Sequence, residues 1–285
     1  MGQYSGLTRA LLLAAVSLSP TLAAPAASAP GEIDRAFQSL YNFDFAASHK
    51  ILDAYIAAHP DEPLPYSVRA SAYLFAELHR LGILEGEFFE DDKRIAEKKK
   101  LNADPAVRRE LMQALEDAQS RAGAVLEKQP SDPYALFTMC VTSGVRTDYT
   151  ALVEKRQIRS LSMAKNANRY AQQLLKVDPN FYDAYLTAGL SEYLVGSLPF
   201  VIRWFVRFDN VKGSKEQGIR NVQLVAERGR YLRPFAKILL SIAYLREKKP
   251  RQTRQLLVEL ARDYPANPLI RKELVKVEAR LAADK

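Results

Sequence analysis

The stretch Lys176-Val177-Asp178-Pro179-Asn180 ends a periodic apolar segment with a proline. Proline has no backbone N–H and clashes with the preceding helical turn, so it stops a helix at this point. Three other segments end in the same way: Ala57-Ala58-His59-Pro60-Asp61, Glu127-Lys128-Gln129-Pro130-Ser131 and Arg262-Asp263-Tyr264-Pro265-Ala266. The recurrence of one helix ending at four places indicates an internally repeated helical chain.

The composition also favours helices, because the chain has only 12 Gly and is rich in Ala, Leu, Lys, Glu and Arg. Together with the four proline endings, this pattern resembles the tetratricopeptide repeat (TPR) family, whose unit is a helix pair of about 34 residues. The resemblance implies an all-α fold, a right-handed α-solenoid of about five TPR-like helix pairs. It covers residues 31–285 as a single domain.

The resemblance predicts where the two helices of each pair approach most closely. Twelve residues before each proline, on the second helix, the residues are small: Ser48, Ala118, Ala167 and Thr253. The equivalent contact position on the first helix is also small: Ala36, Ala70, Cys140, Gly189 and Ser241. Bulky side chains at these points would force the helices apart. Cys140 is therefore interpreted as a packing residue, with a reactive thiol as the alternative.

Three of the five repeat units are longer than the family period. The units begin near Ala29, Pro63, Pro133, Tyr182 and Pro234. Units two, three and four carry insertions of about 36, 15 and 18 residues relative to that period. We place each insertion between the paired helices, at residues 81–105, 144–159 and 196–215. Equivalent turns of stacked units lie along one edge, so these insertions are expected to project side by side, and a closing helix is expected from Pro268 to Leu281.

The N-terminal residues have the pattern of an export signal. Arg9 precedes the apolar run Ala10 to Leu18, and small residues suited to a signal peptidase follow. We predict a cleaved signal peptide at residues 1–26, cut somewhere in 23–29, and a periplasmic or secreted mature protein. The run is too short to span about 30 Å of hydrocarbon. The alternative is a cytosolic protein with a frayed apolar N-terminus.

The charge of the chain is unevenly distributed. From Phe200 onward there are 20 Lys and Arg against 9 Asp and Glu, whereas the whole chain has 41 against 33. A basic C-terminal part suggests an acidic partner or an anionic membrane face. Ordinary solvated helix faces are the alternative explanation, and the sequence does not decide between the two.

The sequence offers little support for catalysis. His49, His59 and His79 lack the spacing of a metal-binding pair on a helix. The sequence contains no G-x-S-x-G, Walker A or strand-associated G-x-G-x-x-G motif. We therefore predict no enzyme activity, no cofactor and no metal. Nucleic acid is not an expected partner, because the basic residues are spread over many repeat faces.

The resemblance implies a concave groove lined by the first helices of the pairs. The candidate partner-binding residues in that groove are Ser67, Ser71, Tyr134, Phe137, Asp183, Leu186, Phe235 and Ile238. Such a lining suits an extended apolar peptide. The alternative is that the chain's own insertions fill the groove.

The insertion of unit four contains a second candidate site. A membrane or partner anchor is predicted there from aromatic residues interleaved with arginines: Phe200, Arg203, Trp204, Phe205, Arg207 and Phe208. The alternative is that these aromatics cap neighbouring helix pairs.

Two hypotheses of function follow from these features. The first is a non-catalytic scaffold of the cell envelope that mediates protein–protein or protein–peptide interaction. The second is a membrane-surface or apolar-ligand binding protein that acts beside a transporter.

Overall fold

The computed structural model describes residues 31–84, 101–197 and 213–283, which form one compact unit. Eleven α-helices and no strand are found within these ranges. The helices are α1 (Glu32–Tyr41), α2 (Phe45–Ala58), α3 (Leu64–Arg80), α4 (Pro105–Lys128), α5 (Pro133–Asp148), α6 (Gln157–Val177), α7 (Tyr185–Ser197), α8 (Lys215–Arg228), α9 (Arg233–Arg246), α10 (Pro250–Asp263) and α11 (Pro268–Ala283). A π-helical turn at Tyr149–Val153 extends α5, and a 3₁₀ turn at Tyr182–Ala184 precedes α7.

The helices pack in chain order. Helices α1 and α2, α3 and α4, α5 and α6, α7 and α8, and α9 and α10 form five pairs, and α11 closes the array against α10. Each pair also contacts the next one along the chain. The predicted all-α, solenoid-like architecture is confirmed.

The small residues lie where the paired helices meet. Ser48 is fully buried, and its Oγ donates a 3.0 Å hydrogen bond to the carbonyl of Ala36 on the partner helix. The same bond, at 3.1 Å, joins Thr253 Oγ1 to the carbonyl of Ser241 in the last pair. A larger side chain at either residue would displace the facing backbone, which is why the chain keeps these positions small.

The fourth pair, α7 and α8, has the closest backbone approach. A Cβ atom added at Gly218 would lie 2.6 Å from the backbone nitrogen of Tyr193 and 2.7 Å from the carbonyl oxygen of Gly189. Counting twelve residues back from Tyr231 leads to Ile219 instead. The sequence register is therefore displaced by one residue in this pair.

Three first helices end in the same backbone motif. The second residue after the helix has a positive φ, 64° at Phe43, 69° at Gly82 and 56° at Lys248. The next residue then donates its N–H back to the last helical turn, as in the 2.9 Å bond from Ile83 to Leu78. This Schellman motif satisfies carbonyl groups that the helix end leaves free. It turns the chain at the same edge of the array in these pairs.

We expect Gly82→Ala to destabilise the protein by about 1 kcal/mol, because Ala at φ +69° is strained although the added Cβ has nothing within 4 Å. Gly123→Ala is the matched control, since Gly123 lies inside α4, where an added Cβ also meets nothing. There Ala stabilises by about 0.5–1 kcal/mol. Urea unfolding measures the change in the free energy of unfolding for both variants. Changes of the same sign would contradict the requirement for glycine at residue 82.

The array curls until its first helix reaches the C-terminal pairs. The guanidinium of Arg230 lies 2.9 Å from the Asp34 carboxylate, and the rings of Phe37 and Tyr231 stack 5.1 Å apart. The Tyr41 hydroxyl also donates to the Tyr231 carbonyl at 3.1 Å. These contacts join residues about 190 positions apart in the chain. Helix α1 therefore packs against the turn between α8 and α9.

The contacts between the two ends enclose the centre of the molecule. Phe37, Phe137 and Tyr231 are buried in one apolar cluster that draws on helices from both ends of the chain. On the same side, the rings of Phe75 and Phe235 meet edge to face, 5.4 Å apart. The inner faces of the first helices thus form a hydrophobic core.

The insertion predicted at residues 144–159 is largely helical. Helix α5 and its π-helical turn continue to Val153, and α6 begins at Gln157. Most of the insertions predicted at 81–105 and 196–215 lies outside the described residues, and so does the predicted signal peptide at 1–26.

Candidate interaction surface

Five of the eight predicted groove residues are buried inside the protein. They are Ser67, Ser71, Phe137, Asp183 and Leu186. The hydroxyls of Ser67 and Ser71 donate to backbone carbonyls one helical turn earlier, at 2.7 and 2.9 Å. Among the described residues, the faces that were expected to bind a peptide pack against each other and against α1. Partner binding by the predicted groove residues stays a prediction.

Asp183 has a structural role where the first helix meets the C-terminal pairs. Its two carboxylate oxygens accept hydrogen bonds from the backbone N–H groups of Arg230, Tyr231 and Leu232, at 3.0, 3.1 and 2.7 Å. Burial raises the pKa of Asp183, and the three backbone hydrogen bonds oppose that rise. The carboxylate fixes the turn against which α1 packs.

The other three predicted groove residues are more accessible. Tyr134 is 44% exposed and touches Phe181 edge to face. Phe235 and Ile238 are partly buried against the cores of neighbouring pairs. A partner entering from this side would meet the Tyr134 ring and little other apolar surface.

The predicted anchor falls in residues 198–212. Phe200, Arg203, Trp204, Phe205, Arg207 and Phe208 all lie outside the described residues. The anchor stays a prediction.

The start of α6 presents an apolar and basic surface that the sequence reasoning missed. Ile158 is 88% exposed and Leu161 is 40% exposed, with the exposed residues Arg156 and Arg159 beside them. Helix α6 contains four basic residues and no acidic residue in its 21 residues. Exposed single aliphatics are common, but two of them one turn apart on an acid-free helix are a feature that calls for a partner.

The N-terminal part of α6 is longer than that of α8. Helix α6 has 21 residues and α8 has 14, so α6 is longer by about 10 Å at 1.5 Å per residue. The extra length lies at the N-terminal end, because Ala167 comes ten residues after the start of α6 and Gly218 only three after the start of α8. Ile158 and Leu161 therefore lie on a part of α6 that has no counterpart in α8.

Further exposed residues lie at the same edge, where each first helix turns into the second. Leu194, in the last turn of α7, is 62% exposed. Lys248, Lys249 and Arg251 are exposed at the turn from α9 into α10. We call this surface the basic edge and define it by its exposed side chains: Arg156, Ile158, Arg159, Leu161, Leu194, Lys248, Lys249 and Arg251.

Two acidic groups near the basic edge are paired with cations, whereas Glu216, in the first turn of α8, is exposed. Glu154 accepts a hydrogen bond from Arg108 at 3.3 Å, and Glu247 pairs with Lys215 at 3.2 Å. Burial raises the pKa of Asp148, at the end of α5, to about 7. Of the cations that define the basic edge, none forms an ion pair with a described residue.

One signal in the sequence could have revealed the basic edge. Residues 155–177 include six Lys and Arg and no Asp or Glu. Ile158 and Leu161, spaced three apart, have the period of a buried helix face, and a core position is the default interpretation of that period. Their exposure is seen only in the structure.

Few groups suited to catalysis or metal binding are found among the described residues. No group of three or more His, Cys, Asp and Glu among them could hold a metal ion. Burial raises the pKa of the Cys140 thiol to about 11, against the 3.2 Å hydrogen bond with Thr187. A protonated, buried thiol is a poor nucleophile. Of the helices in the described ranges, none has the length and apolarity needed to cross a membrane.

The comparisons with known proteins do not identify a relative. No protein-family model matches the chain, and no curated protein matches it.

Proposed function

We propose that the protein is a non-catalytic scaffold of the cell envelope that binds an acidic or anionic partner through the basic edge. The observation that carries the proposal is the exposure of unpaired cations and aliphatic side chains together at the N-terminal end of α6. The resemblance to the TPR family and the predicted signal peptide support a binding role outside the cytoplasm.

The closed core favours the basic edge over the concave face. A partner at the concave face would have to displace buried groups such as Phe37 and Phe137, each of which contributes about 1.5–3 kcal/mol through burial. At the basic edge, binding instead buries aliphatic surface that is already exposed to water. The cations would speed association with a negatively charged partner, and the effect would weaken as salt increases.

Capture from the native envelope tests the proposal. The parent protein and an Arg156→Glu/Arg159→Glu variant are crosslinked in the envelope, purified and compared for the partners that they retain. We expect the variant to lose at least nine-tenths of the captured material, because reversing two charges at the contact costs at least the 1.4 kcal/mol that corresponds to tenfold.

The matched control is Lys50→Glu/Arg271→Glu, which makes the same change in net charge at exposed residues of α2 and α11. It should retain the partner at the parent level. Equal capture by all three proteins would refute a role for the basic edge in binding.

A further inference from the structure

We infer that the partner of the basic edge is an anionic lipid surface, on which the N-terminal end of α6 lies. This inference rests on the proposed function and names its partner. It uses described residues of α6, α7 and the turn after α9, and it is independent of the anchor predicted at Phe200 to Phe208.

The charges of the basic edge match a lipid headgroup layer. Arg156 and Arg159 belong to one turn, and Lys248, Lys249 and Arg251 to a second turn at the same edge of the array. A cation near an anionic membrane contributes about 1 kcal/mol to the free energy of binding. Several widely spaced cations can therefore bind such a surface without a shaped pocket. Separate cations on two turns suit such a continuous layer of charge.

The neutralised acids strengthen this match. Glu154 and Glu247 would repel phosphate groups, yet each is paired with a cation, Arg108 or Lys215, at 3.3 and 3.2 Å. Glu216, in the first turn of α8, is an exposed acid at this edge. Against it stand the five exposed cations Arg156, Arg159, Lys248, Lys249 and Arg251, so the basic edge is predominantly positive.

The apolar side chains match the layer below the headgroups. Ile158, Leu161 and Leu194 are exposed near helix ends. A protein partner is more often held by aromatic or arginine anchors in well-packed pockets. Aliphatics that project beside unpaired cations resemble the interfacial helices that insert a short apolar face at the boundary between headgroups and acyl chains.

Sedimentation with lipid vesicles tests the inference. The protein, without the predicted signal peptide, is mixed with phosphatidylcholine vesicles that contain or lack one-quarter phosphatidylglycerol. We expect at least tenfold tighter binding to the anionic vesicles, with a marked loss when salt is raised. Arg156→Glu/Arg159→Glu should bind at least tenfold more weakly than the parent.

A second variant tests the apolar contact. Ile158→Ser/Leu194→Ser should weaken binding to the anionic vesicles about fivefold or more. The matched controls are Val275→Ser, because Val275 is 66% exposed on α11, and Lys50→Glu/Arg271→Glu. Both controls should bind as the parent does, and circular dichroism should show the same helix content in every variant.

The outcomes separate the two proposals. If the parent does not sediment with anionic vesicles, but Arg156→Glu/Arg159→Glu still loses a captured envelope protein, the partner is a protein and the lipid inference is refuted. If the control variants lose vesicle binding as strongly as the basic-edge variants, the inference is refuted as well. Loss confined to the basic-edge variants supports it.

Discussion

Gly218→Ala is expected to destabilise the protein by about 3 kcal/mol, one of the two largest effects predicted from this structure. The added Cβ would lie 2.6 Å from the Tyr193 nitrogen and 2.7 Å from the Gly189 oxygen, and both of these atoms belong to the backbone. Backbone in a packed helix cannot rotate away as a side chain can, so α7 and α8 must separate. Urea unfolding followed by circular dichroism measures the loss.

Gly144→Ala provides the control for this effect. Gly144 lies inside α5, and a Cβ added there has nothing within 4 Å. Ala should therefore stabilise the protein by about 0.5–1 kcal/mol through helix propensity. If Gly218→Ala changed the free energy of unfolding no more than Gly144→Ala does, the close approach of α7 and α8 would be contradicted.

Asp183→Ala is expected to cost about 3–5 kcal/mol, because it leaves three backbone N–H groups near the core without their acceptor. Asp183→Asn keeps one acceptor oxygen and should lose about half as much. The turn at Arg230 to Leu232 also docks α1, so hydrogen exchange of the α1 amides should accelerate more than that of α5.

Asp178→Ala is the comparison for Asp183. Asp178 also accepts a backbone N–H, from Asn180 at 2.9 Å, but in a more exposed turn. Its loss should cost about 1 kcal/mol. Equal losses in the two variants would show that the turn after α8 does not depend on Asp183.

The solenoid-like fold was predictable because its requirements are local. A helix pair needs a small residue at each close contact, and in the two pairs without insertions these contacts are twelve residues apart, as in Ala36 with Ser48 and Ser241 with Thr253. Prolines mark the ends of most pairs and give the positions from which the contact residues are counted. Gly218 was missed because Tyr231 stands where the fourth proline was expected, which left the register of that pair one residue in error.

The closure of the array was not predictable from the same pattern. Apolar residues such as Phe137 and Leu186 recur on the inner face of a first helix whether that face lines a groove or fills a core. The choice depends on the small rotation between successive pairs, which accumulates along the chain. Contacts such as Phe37 with Tyr231 join residues too distant in sequence for any local period to reveal.

The turns illustrate a further limit of local reasoning. Phe43 and Lys248 adopt positive φ angles, a conformation that disfavours residues with a side chain by about 1–2 kcal/mol. The hydrogen bonds of the Schellman motif outweigh this penalty, and a search for glycine finds only Gly82 among the three turns.

The central claim is that partners bind outside a closed array, and locking the closure tests it most directly. Asp34→Cys and Arg230→Cys replace an accessible ion pair that joins α1 to the turn after α8, and a short bis-maleimide can bridge the two thiols. The native Cys140 is buried, with its pKa raised to about 11, so it should not compete. The quantity to measure is partner capture by the bridged, monomeric protein. We predict capture equal to that of the parent protein, whereas loss of capture on bridging would show that the concave face must open to bind.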